Sequence, residues 1–357
     1  MQRAYGVVNK NKIAEDLLSW YDINARKLPW RIPPLESKTG VLPNPYYIWM
    51  SEVMLQQTTV AAVKEYFVKF VALWPTVFDM ANAKDEDVMA AWAGLGYYAR
   101  ARNLLKCARV IKNQYDGKFP SNEKDLLSLP GIGPYTAAAI MSIAFNKKAI
   151  VLDGNIERVM SRIYAVQEPL PVSKKALWLL ASDLTPENRC GDYAQAVMDL
   201  GATICTPRSP KCTHCPWTSI CLGLSQGIAG ELPKKIPKLK KPVRVGTVYV
   251  AINDDHSMLL ERRPKKGLLG GMLGWPGSEW AIIPTDHLEP IEADWRSVNE
   301  PVRHTFTHFH LDLTIKIASN VKSVPRIGKF IPKDEFNPND LPTVMRKVWD
   351  KASEFLE

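Results

Sequence analysis

The chain contains 357 residues, of which 46% are hydrophobic, so it is long and apolar enough to bury the cores of two or three domains. Lys and Arg outnumber Asp and Glu by 46 to 37, and the resulting formal charge of +9 favours a polyanionic partner. The N-terminal residues lack the apolar core of a signal peptide, and no segment is long and apolar enough to span a bilayer, which argues against secreted and membrane-embedded classes. We expect a soluble intracellular monomer, in the cytoplasm or nucleoid-associated if the source is bacterial.

The N-terminal half of the chain is predicted to be all-helical. Between residues 12 and 223 nearly every segment has its apolar residues at helical spacing. A clear example is the apolar face shared by Val60, Val63, Phe67, Phe70, Val71 and Trp74. We therefore place a helical domain at residues 1–225.

Glu52 lies within one of these apolar helical segments. Ile48, Trp49 and Leu55 are three or four residues away along the chain, so they lie on the same side of the helix. Such neighbours would partly desolvate the carboxyl group, raise its pKa and keep it a proton donor near neutral pH. The alternative is a solvated glutamate on a polar face, which these apolar neighbours disfavour.

A helix-hairpin-helix motif is predicted at residues 121–145. Asn122 can cap a short helix, Gly131 and Gly133 allow a tight turn, and Pro134 suits the first position of the next helix. The glycines leave backbone N–H groups uncovered at a helix N-terminus, where a phosphate of DNA can bind without any reading of bases. An ordinary helical turn is the alternative, but the position of the turn between two amphipathic helices favours DNA binding.

An aspartate follows the hairpin at the start of another helix. Asp153 and Asn155 lie at the mouth of a segment whose helical face continues through Val159 and Ile163. Simple helix capping would explain Asp153. A helix N-terminus also favours an ionised carboxylate, which suits the stabilisation of a cationic sugar intermediate, so the two roles are compatible.

Four of the six cysteines crowd into one short segment. They are Cys205, Cys212, Cys215 and Cys221, separated by six, two and five residues. In a reducing compartment this crowding indicates a metal site rather than a disulfide framework. Ligand type alone leaves two occupants open, a structural zinc ion and an iron-sulfur cluster.

A basic linker is predicted at residues 226–243, where Gly and Pro interrupt regular structure. Residues 231–244 hold six Lys or Arg against the single Glu231. Such a segment is typical of an exposed connection between two domains.

A smaller α+β domain is predicted at residues 244–357, because the apolar period changes there from helical to two. The alternation is clear in VRVGTVYVAI at residues 243–252 and in Leu311, Leu313, Ile315 and Ile317. The closing segment places Val344, Val348 and Phe355 at helical spacing, so we expect a final helix that packs on the sheet.

The hairpin, its glycine-rich turn and the following Asp153 together resemble the endonuclease III superfamily of base-excision DNA glycosylases. The cysteine spacing resembles the cluster loop of the same superfamily, which implies a 4Fe-4S cluster at residues 205–221. The implied role of the cluster is structural: it would present Lys211 and neighbouring basic residues such as Arg208 to the phosphate backbone.

Three stretches within the helical half resemble the MutY family of adenine DNA glycosylases: LPWR at 28–31, YYIWMSEVMLQQTTVAAVKEYFVKF at 46–70 and WAGLGYYARARNL at 92–104. The resemblance implies an enzyme that flips adenine out of a mispair with 8-oxoguanine or guanine in double-stranded DNA and hydrolyses its bond to deoxyribose. It implies that Glu52 protonates N7 of the adenine. Asp153 would stabilise the oxocarbenium ion, or bond briefly to the sugar carbon before water completes hydrolysis.

The same resemblance assigns roles to five other residues. Tyr135 occupies the place where lyase-competent relatives have a Schiff-base lysine, so the enzyme should be monofunctional and leave an abasic site. Gln57 would enter the base stack and Tyr97 would probe the minor groove, while Arg31 and Leu55 would line the adenine pocket. A surface glutamine and ordinarily packed side chains are the alternatives for these four.

The C-terminal domain resembles the MutY domain that reads 8-oxoguanine, which is itself related to Nudix hydrolases. The clustered glutamates of the Nudix metal site are missing, which argues against nucleotide hydrolysis. Phe306, Thr307 and His308 match the family's Phe-Ser-His loop, with Thr in place of Ser. The stretch GGMLGWPGSEW at 270–280 departs from the commoner LWEFP form, with Leu273, Gly274 and Trp275 where Trp, Glu and Phe are usual.

Two other interpretations compete with this one. A thymine mismatch glycosylase or an endonuclease III-like enzyme for oxidised pyrimidines would share the hairpin and the cysteine loop, but neither is expected to carry the second domain. A non-catalytic DNA-binding or redox-sensing iron-sulfur protein would need neither Glu52 nor Asp153. The expected architecture is multidomain: an all-α helix-hairpin-helix glycosylase domain with an iron-sulfur cluster loop, followed by an α+β Nudix-like domain.

Overall fold

The computed structural model describes residues 10–237, 240–264, 267–284 and 287–356. The chain divides into two compact units, one made of Met1–Ala91 and Ala99–Pro237 and the other of Trp92–Tyr98 and Lys238–Glu357. The N-terminal residues 1–9 and two residues of the predicted basic linker, 238–239, lie outside the described residues. Within the described ranges, no helix is long and apolar enough to cross a membrane.

The first unit is built from helices, as the apolar periodicity predicts. In chain order they are α1 (Lys10–Asn24), α2 (Pro34–Ser37), α3 (Pro45–Leu55), α4 (Val60–Leu73), α5 (Val77–Asn82), α6 (Asp85–Ala91), α7 (Ala99–Tyr115), α8 (Glu123–Ser128), α9 (Pro134–Ala139), α10 (Gly154–Ile163), α11 (Lys174–Leu184), α12 (Cys190–Thr203) and α13 (Leu222–Ser225). A π-helical turn at Ile140–Ala144 continues α9. On α4 the predicted apolar face is buried at Val63, Phe67 and Phe70.

Helices α8 and α9 form the predicted hairpin. The side chain of Asn122 caps α8 by accepting a hydrogen bond from the N–H of Asp125 at 3.0 Å, and Pro134 is the first residue of α9. Gly131 has φ +77°, a left-handed conformation that favours glycine, and a Cβ there would lie 2.8 Å from the Cβ of Asn103. The turn therefore needs glycine for both its conformation and its packing.

Helix α12 forms the centre of the first unit. Every residue from Cys190 to Gly201 is buried, and the helix packs against α1 and α10. At the crossing with α10, a Cβ on Gly201 would lie 2.7 Å from the Cβ of Asn155. Glycine at this position therefore lets α12 approach the first turn of α10, which Asp153 caps.

The second unit is centred on a mixed β-sheet. Its strands are β1 (Val243–Asn253), β2 (Met258–Arg262), β3 (Leu273–Gly274), β4 (Arg296–Ser297), β5 (Val302–Thr305), β6 (His310–Val321) and β7 (Lys329–Ile331). The strand order is β3-β2-β1-β6-β4, with β5 also paired to β6 and β7 to β2. Strands β1 and β6 run parallel, with Val243 opposite His310, and the other pairs are antiparallel.

Burial along the sheet confirms the predicted period of two. On β6 the buried apolar residues include Leu311, Leu313, Ile315 and Ile317. The predicted final helix is α14 (Thr343–Ala352), which packs on this face of the sheet through Val344, Met345 and Val348. The opposite face holds a smaller apolar cluster around Leu259 and Ile291.

Two details of the second unit refine the expectation. Helix α14 ends at Ala352, so Phe355 lies in a 3-10 turn and is 49% exposed rather than packed on the sheet.

Trp275, from the stretch at 270–280 that departs from the family's common form, is fully buried. It stacks on Trp349 with 5.6 Å between the ring centroids, and its indole N–H donates to the carbonyl of Met345. The departing tryptophan is therefore part of the hydrophobic core.

Candidate active site and metal centre

A cavity of about 900 Å³ in the helical unit brings together most of the catalytic and DNA-binding residues predicted from the sequence. The predicted residues that line it are Arg31, Glu52, Leu55, Gln57, Gly131, Gly133, Tyr135 and Asp153. They come from the segment between α1 and α2, from α3 and the loop after it, from the hairpin turn and the first turn of α9, and from the N-cap of α10. Segments more than 100 residues apart in the chain thus meet around one space.

Glu52 is buried in the wall of this cavity. It lies on α3, most of whose residues are buried, and is only 5% exposed. Burial raises its pKa from 4.5 to about 7, and the nearby charge of Asp153 adds to this effect, while the hydrogen bond from Tyr135 and the charge of Arg31 oppose it. The carboxyl group is therefore protonated below about pH 7 and loses its proton as the pH rises through that value.

Tyr135 connects the hairpin to Glu52. Its hydroxyl donates a hydrogen bond of 2.9 Å to Oε2 of Glu52. Burial, together with the negative charges of Glu52 and Asp153, holds the pKa of the phenol well above its ordinary value of 10.0. Tyr135 therefore stays neutral and orients the Glu52 carboxyl group by donating to it.

Asp153 is held by hydrogen bonds at both carboxylate oxygens. Oδ1 accepts from the N–H of Ile156 at 2.7 Å, which makes Asp153 the cap of α10 as predicted. Oδ2 accepts from the side-chain amide of Asn155 at 2.8 Å. The two donors therefore hold the carboxyl group of Asp153 in one orientation at the cavity wall.

Asp199 was not predicted as a site residue, yet it forms an ion pair that neutralises the charge of Arg31. It is completely buried on α12 and accepts from Arg31 at 2.8 Å and from Nε of Arg26 at 2.6 Å. Burial alone would lower the pKa of Arg31, but the charge of Asp199, the weaker effects of Tyr21 and Glu52 and the hydrogen bond to Asp199 together outweigh burial, and the pKa is raised. Because Arg31 and Asp199 are 168 residues apart in the chain, no local pattern could reveal the pair.

Arg100 is a second residue that sequence reasoning missed. Its buried guanidinium donates to the carbonyls of Val53, Met54 and Gln56 at the C-terminal end of α3, and to the hydroxyl of Thr58. These bonds hold the loop that follows α3. Gln57 lies at the tip of this loop.

Gln57 is exposed at that tip and adopts φ +58°, a left-handed conformation that is uncommon for residues other than glycine. Backbone strain of this kind persists where the surrounding structure holds the residue in place, and it clusters at binding sites. The exposed position is compatible with the predicted insertion of Gln57 into the base stack.

The remaining predicted DNA contacts lie in the second unit and do not line the cavity. Tyr97 is 48% exposed and has φ +48°. Its hydroxyl lies 3.0 Å from that of Thr307, so two residues to which the sequence assigns DNA contacts lie together. Thr307 and His308 are exposed at the turn between β5 and β6, and Phe306 is half-buried beneath them.

The four predicted metal ligands surround one apolar cavity in the helical unit. Cys205, Cys212, Cys215 and Cys221 all line it, together with Trp217 and other apolar residues. Among the residues that the structure describes, no three of the types His, Cys, Asp and Glu converge on a point as they would around one ion. Four cysteine thiols around a common cavity supply the ligand set of a Cys-ligated iron-sulfur cluster.

Two arginines of α10 hold the loop that carries these cysteines. Arg162, only 1% exposed, donates to the carbonyls of Thr206, Pro207 and Leu232 and lies 3.3 Å from the sulfur of Cys205. Its N–H groups therefore fix the start of the loop and the position of Cys205.

Arg158 connects the cysteine loop to the candidate carboxylate. It donates to the carbonyl of Cys205 at 2.8 Å and to the side-chain oxygen of Asn155 at 2.9 Å. Asn155 in turn donates to Asp153. A continuous chain of hydrogen bonds therefore runs from the metal ligand to Asp153.

Three protein-family models match the chain. The model described as HhH-GPD superfamily base excision DNA repair protein matches residues 50–180, and the iron-sulfur binding domain of endonuclease III matches residues 205–221. A NUDIX domain model matches residues 247–351. These matches confirm the predicted helix-hairpin-helix fold, the iron-sulfur loop and the Nudix-like second domain.

Two similar proteins cover most of the chain. Adenine DNA glycosylase from Homo sapiens is 33% identical, over 93% of this chain and 72% of that protein. Adenine DNA glycosylase from Buchnera aphidicola subsp. Schizaphis graminum is 33% identical, over 93% of this chain and 96% of that protein. Among solved structures, that of a thermostable thymine-DNA glycosylase is 33% identical with a TM-score of 0.53, over 61% of this chain and 97% of that one.

Proposed function

Because the chain belongs to the adenine DNA glycosylases, a family of base excision repair enzymes, we propose that it removes adenine paired with 8-oxoguanine or with guanine in double-stranded DNA. It is a DNA glycosylase with a 4Fe-4S cluster, for which Cys205, Cys212, Cys215 and Cys221 supply the ligands. The observation that carries the proposal is the cavity that Glu52 and Asp153 line together. One carboxyl group there is protonated near neutral pH, and the other is held as an acceptor of two hydrogen bonds.

Glu52 acts as the general acid in this proposal. Adenine leaves a sugar poorly as an anion, so a proton delivered to N7 as the bond breaks lets the base leave neutral. A carboxyl group with a pKa of about 7 still holds that proton at neutral pH and releases it readily. The hydroxyl of Tyr135 keeps the group oriented towards the cavity and stabilises the carboxylate that remains.

Asp153 acts on the sugar. Cleavage of the glycosidic bond leaves positive charge on the sugar ring, and a carboxylate at the cavity wall stabilises that charge or bonds to the carbon that bears it. Hydrogen bonds from Ile156 and Asn155 fix the carboxylate before the substrate arrives, so little reorganisation is required. Water then completes hydrolysis.

The DNA is held by both units in this proposal. The hairpin turn at Gly131 and Gly133 binds a backbone phosphate, Gln57 enters the base stack, and Arg31 and Leu55 shape the pocket for the flipped base. In the second unit, Tyr97 contacts the minor groove and the loop Phe306–His308 reads the opposing base. We assign residues 1–225 to catalysis, 226–243 to the linker and 244–357 to recognition, with Trp92–Tyr98 as part of the second unit.

Excision of thymine from a mismatch is the closest alternative. The thymine-DNA glycosylase structure covers 61% of the chain, whereas the adenine glycosylase relatives cover 93% and so include the second unit. We favour adenine because recognition of 8-oxoguanine opposite the excised base would account for the presence of the second unit.

Replacement of Glu52 by Gln is expected to abolish excision while leaving DNA binding intact. The amide keeps the shape of the side chain but has no acidic proton, and general acid catalysis typically contributes about 100 to 10,000-fold. Single-turnover excision of adenine opposite 8-oxoguanine should fall by at least that lower factor. Glu65→Gln, an exposed glutamate of α4, serves as the control. A near-normal rate in Glu52→Gln would remove Glu52 from the mechanism.

The product is expected to be an intact strand with an abasic site, because Tyr135 offers no amine for a Schiff base. Strand breaks should appear only after alkali is added to the reaction. Borohydride present during turnover should trap little protein on the DNA. Trapping as strong as that of a lyase control would contradict the proposal.

Replacement of both Thr307 and His308 by Ala is expected to weaken binding of the 8-oxoguanine mispair about tenfold or more. 8-Oxoguanine differs from guanine by a carbonyl oxygen and an N–H, so its recognition needs hydrogen-bonding side chains, and one lost base-specific contact costs roughly 1 to 3 kcal/mol. The readout is the ratio of the affinities for adenine opposite 8-oxoguanine and opposite guanine, at one fixed salt concentration.

The matched control is Thr307→Ser, which keeps the hydroxyl and should keep the ratio. If the folded double variant has the wild-type ratio, recognition of the lesion lies elsewhere in the chain.

A further inference from the structure

The turn between β5 and β6 is anchored at its two ends and exposed at its tip. Thr305 pairs with His310 across the two strands, and the N–H of Phe306 donates to the carbonyl of Phe309 at 2.9 Å. The ammonium group of Lys241 donates to the carbonyl of Phe306 at 2.8 Å. Thr307 and His308 between these anchors are exposed. We refer to residues 306–309 as the tip loop.

A stack of aromatic rings and cations supports this tip loop. The guanidinium of Arg244 lies 4.3 Å over the ring of Phe309, and the centroids of Phe309 and Phe306 are 4.9 Å apart. Phe306 is stacked on Trp280 at 5.8 Å, with 30° between the ring planes. On Trp280 lies Arg263, with 4.6 Å from its guanidinium carbon to the ring centroid. The stack thus has a cation at each end and three aromatic rings between them. Each cation lies over the negative face of the ring next to it.

Trp280 is fixed by contacts outside the stack. The backbone at Ala281 exchanges two hydrogen bonds with Val245 of β1, at 2.8 and 3.2 Å, so the segment that carries Trp280 is attached to the sheet. The ring lies against Gly246, where a Cβ would come within 2.7 Å of Cδ1 of Trp280. The absence of a side chain at Gly246 therefore provides the space that Trp280 occupies.

We propose that Trp280 is a positioning residue that sets the conformation of the tip loop for recognition of 8-oxoguanine. Phe306 is covalently next to Thr307, so a ring held against Trp280 restricts the backbone from which Thr307 and His308 project. A restricted loop loses less conformational entropy when it binds DNA than a free one, and its hydrogen-bonding groups need less rearrangement. The inference rests on the proposed reading of the lesion by Thr307 and His308.

The test is a double-mutant cycle between Trp280→Leu and the Thr307→Ala, His308→Ala pair. The readout is the ratio of affinities for adenine opposite 8-oxoguanine and opposite guanine, with circular dichroism and thermal unfolding to establish that each variant folds. Trp280→Leu should lower the ratio about three- to tenfold, the range expected for loss of one aromatic stacking partner. Added to the Ala pair, it should lower the ratio no further, because Trp280 acts through those two residues.

Two further variants keep the test decisive if Trp280→Leu is poorly folded. Trp280→Phe retains an aromatic face and should retain most of the wild-type ratio. Arg263→Met removes the outer cation without changing the core and should lower the ratio by a smaller factor. Hydrogen exchange at the amide of Phe306 gives a readout that is independent of DNA: Trp280→Leu should speed it, since the amide's bond to Phe309 depends on an ordered tip loop.

Failure of the inference can be distinguished from failure of the proposed function. If the Ala pair lowers the ratio and folded Trp280→Leu does not, the positioning role is wrong and the reading of the lesion stands. If Trp280→Leu lowers the ratio equally with and without the Ala pair, Trp280 acts independently of the tip loop, and the inference is overturned. If the Ala pair itself leaves the ratio unchanged, both proposals fail together.

Discussion

Burial of the Glu52 carboxyl group is the constraint on which the proposed active site depends. An ionised carboxylate in that position is disfavoured because the wall of α3 replaces its water with apolar side chains. With a pKa raised from 4.5 to about 7, the group would destabilise the fold by roughly 3 kcal/mol once fully ionised above pH 7, a cost that is absent below pH 4.5. Because ionisation of the buried carboxyl group costs free energy, Glu52 retains the proton that the proposed reaction requires.

The other charges around the cavity are arranged so that the pKa of Glu52 stays raised. Arg31, if unpaired, would favour the ionised form of Glu52, but Asp199 accepts hydrogen bonds from Arg31 and Arg26. Arg31 accordingly affects the pKa of Glu52 less than burial, Tyr135 or Asp153 does. Asp153 has the opposite environment to Glu52, a helix N-terminus with two donors. The different surroundings suit the two carboxyl groups to the two roles that we propose for them, a principle known from enzymes that cleave glycosidic bonds.

Local signals in the sequence predicted much of this arrangement, and long-range contacts supplied the rest. Caps such as Asn122 and Asp153 and the spacing of the four cysteines depend on residues close in the chain, so they could be recognised before the structure. Partners such as Asp199 and Arg100 act across more than 40 residues, and no nearby pattern marks them. Phe355 was misplaced because periodicity alone does not show that α14 ends at Ala352.

The most direct test is a titration of the Glu52 carboxyl group itself in the free enzyme. Difference infrared spectra of the wild type and Glu52→Gln across a pH series isolate the protonated carboxyl band of this one residue. The band should fall to half of its full intensity near pH 7, because the protonated form predominates below that value and the carboxylate above it. Loss of the band near the ordinary value of 4.5 would show that Glu52 is ionised at neutral pH and cannot be the acid.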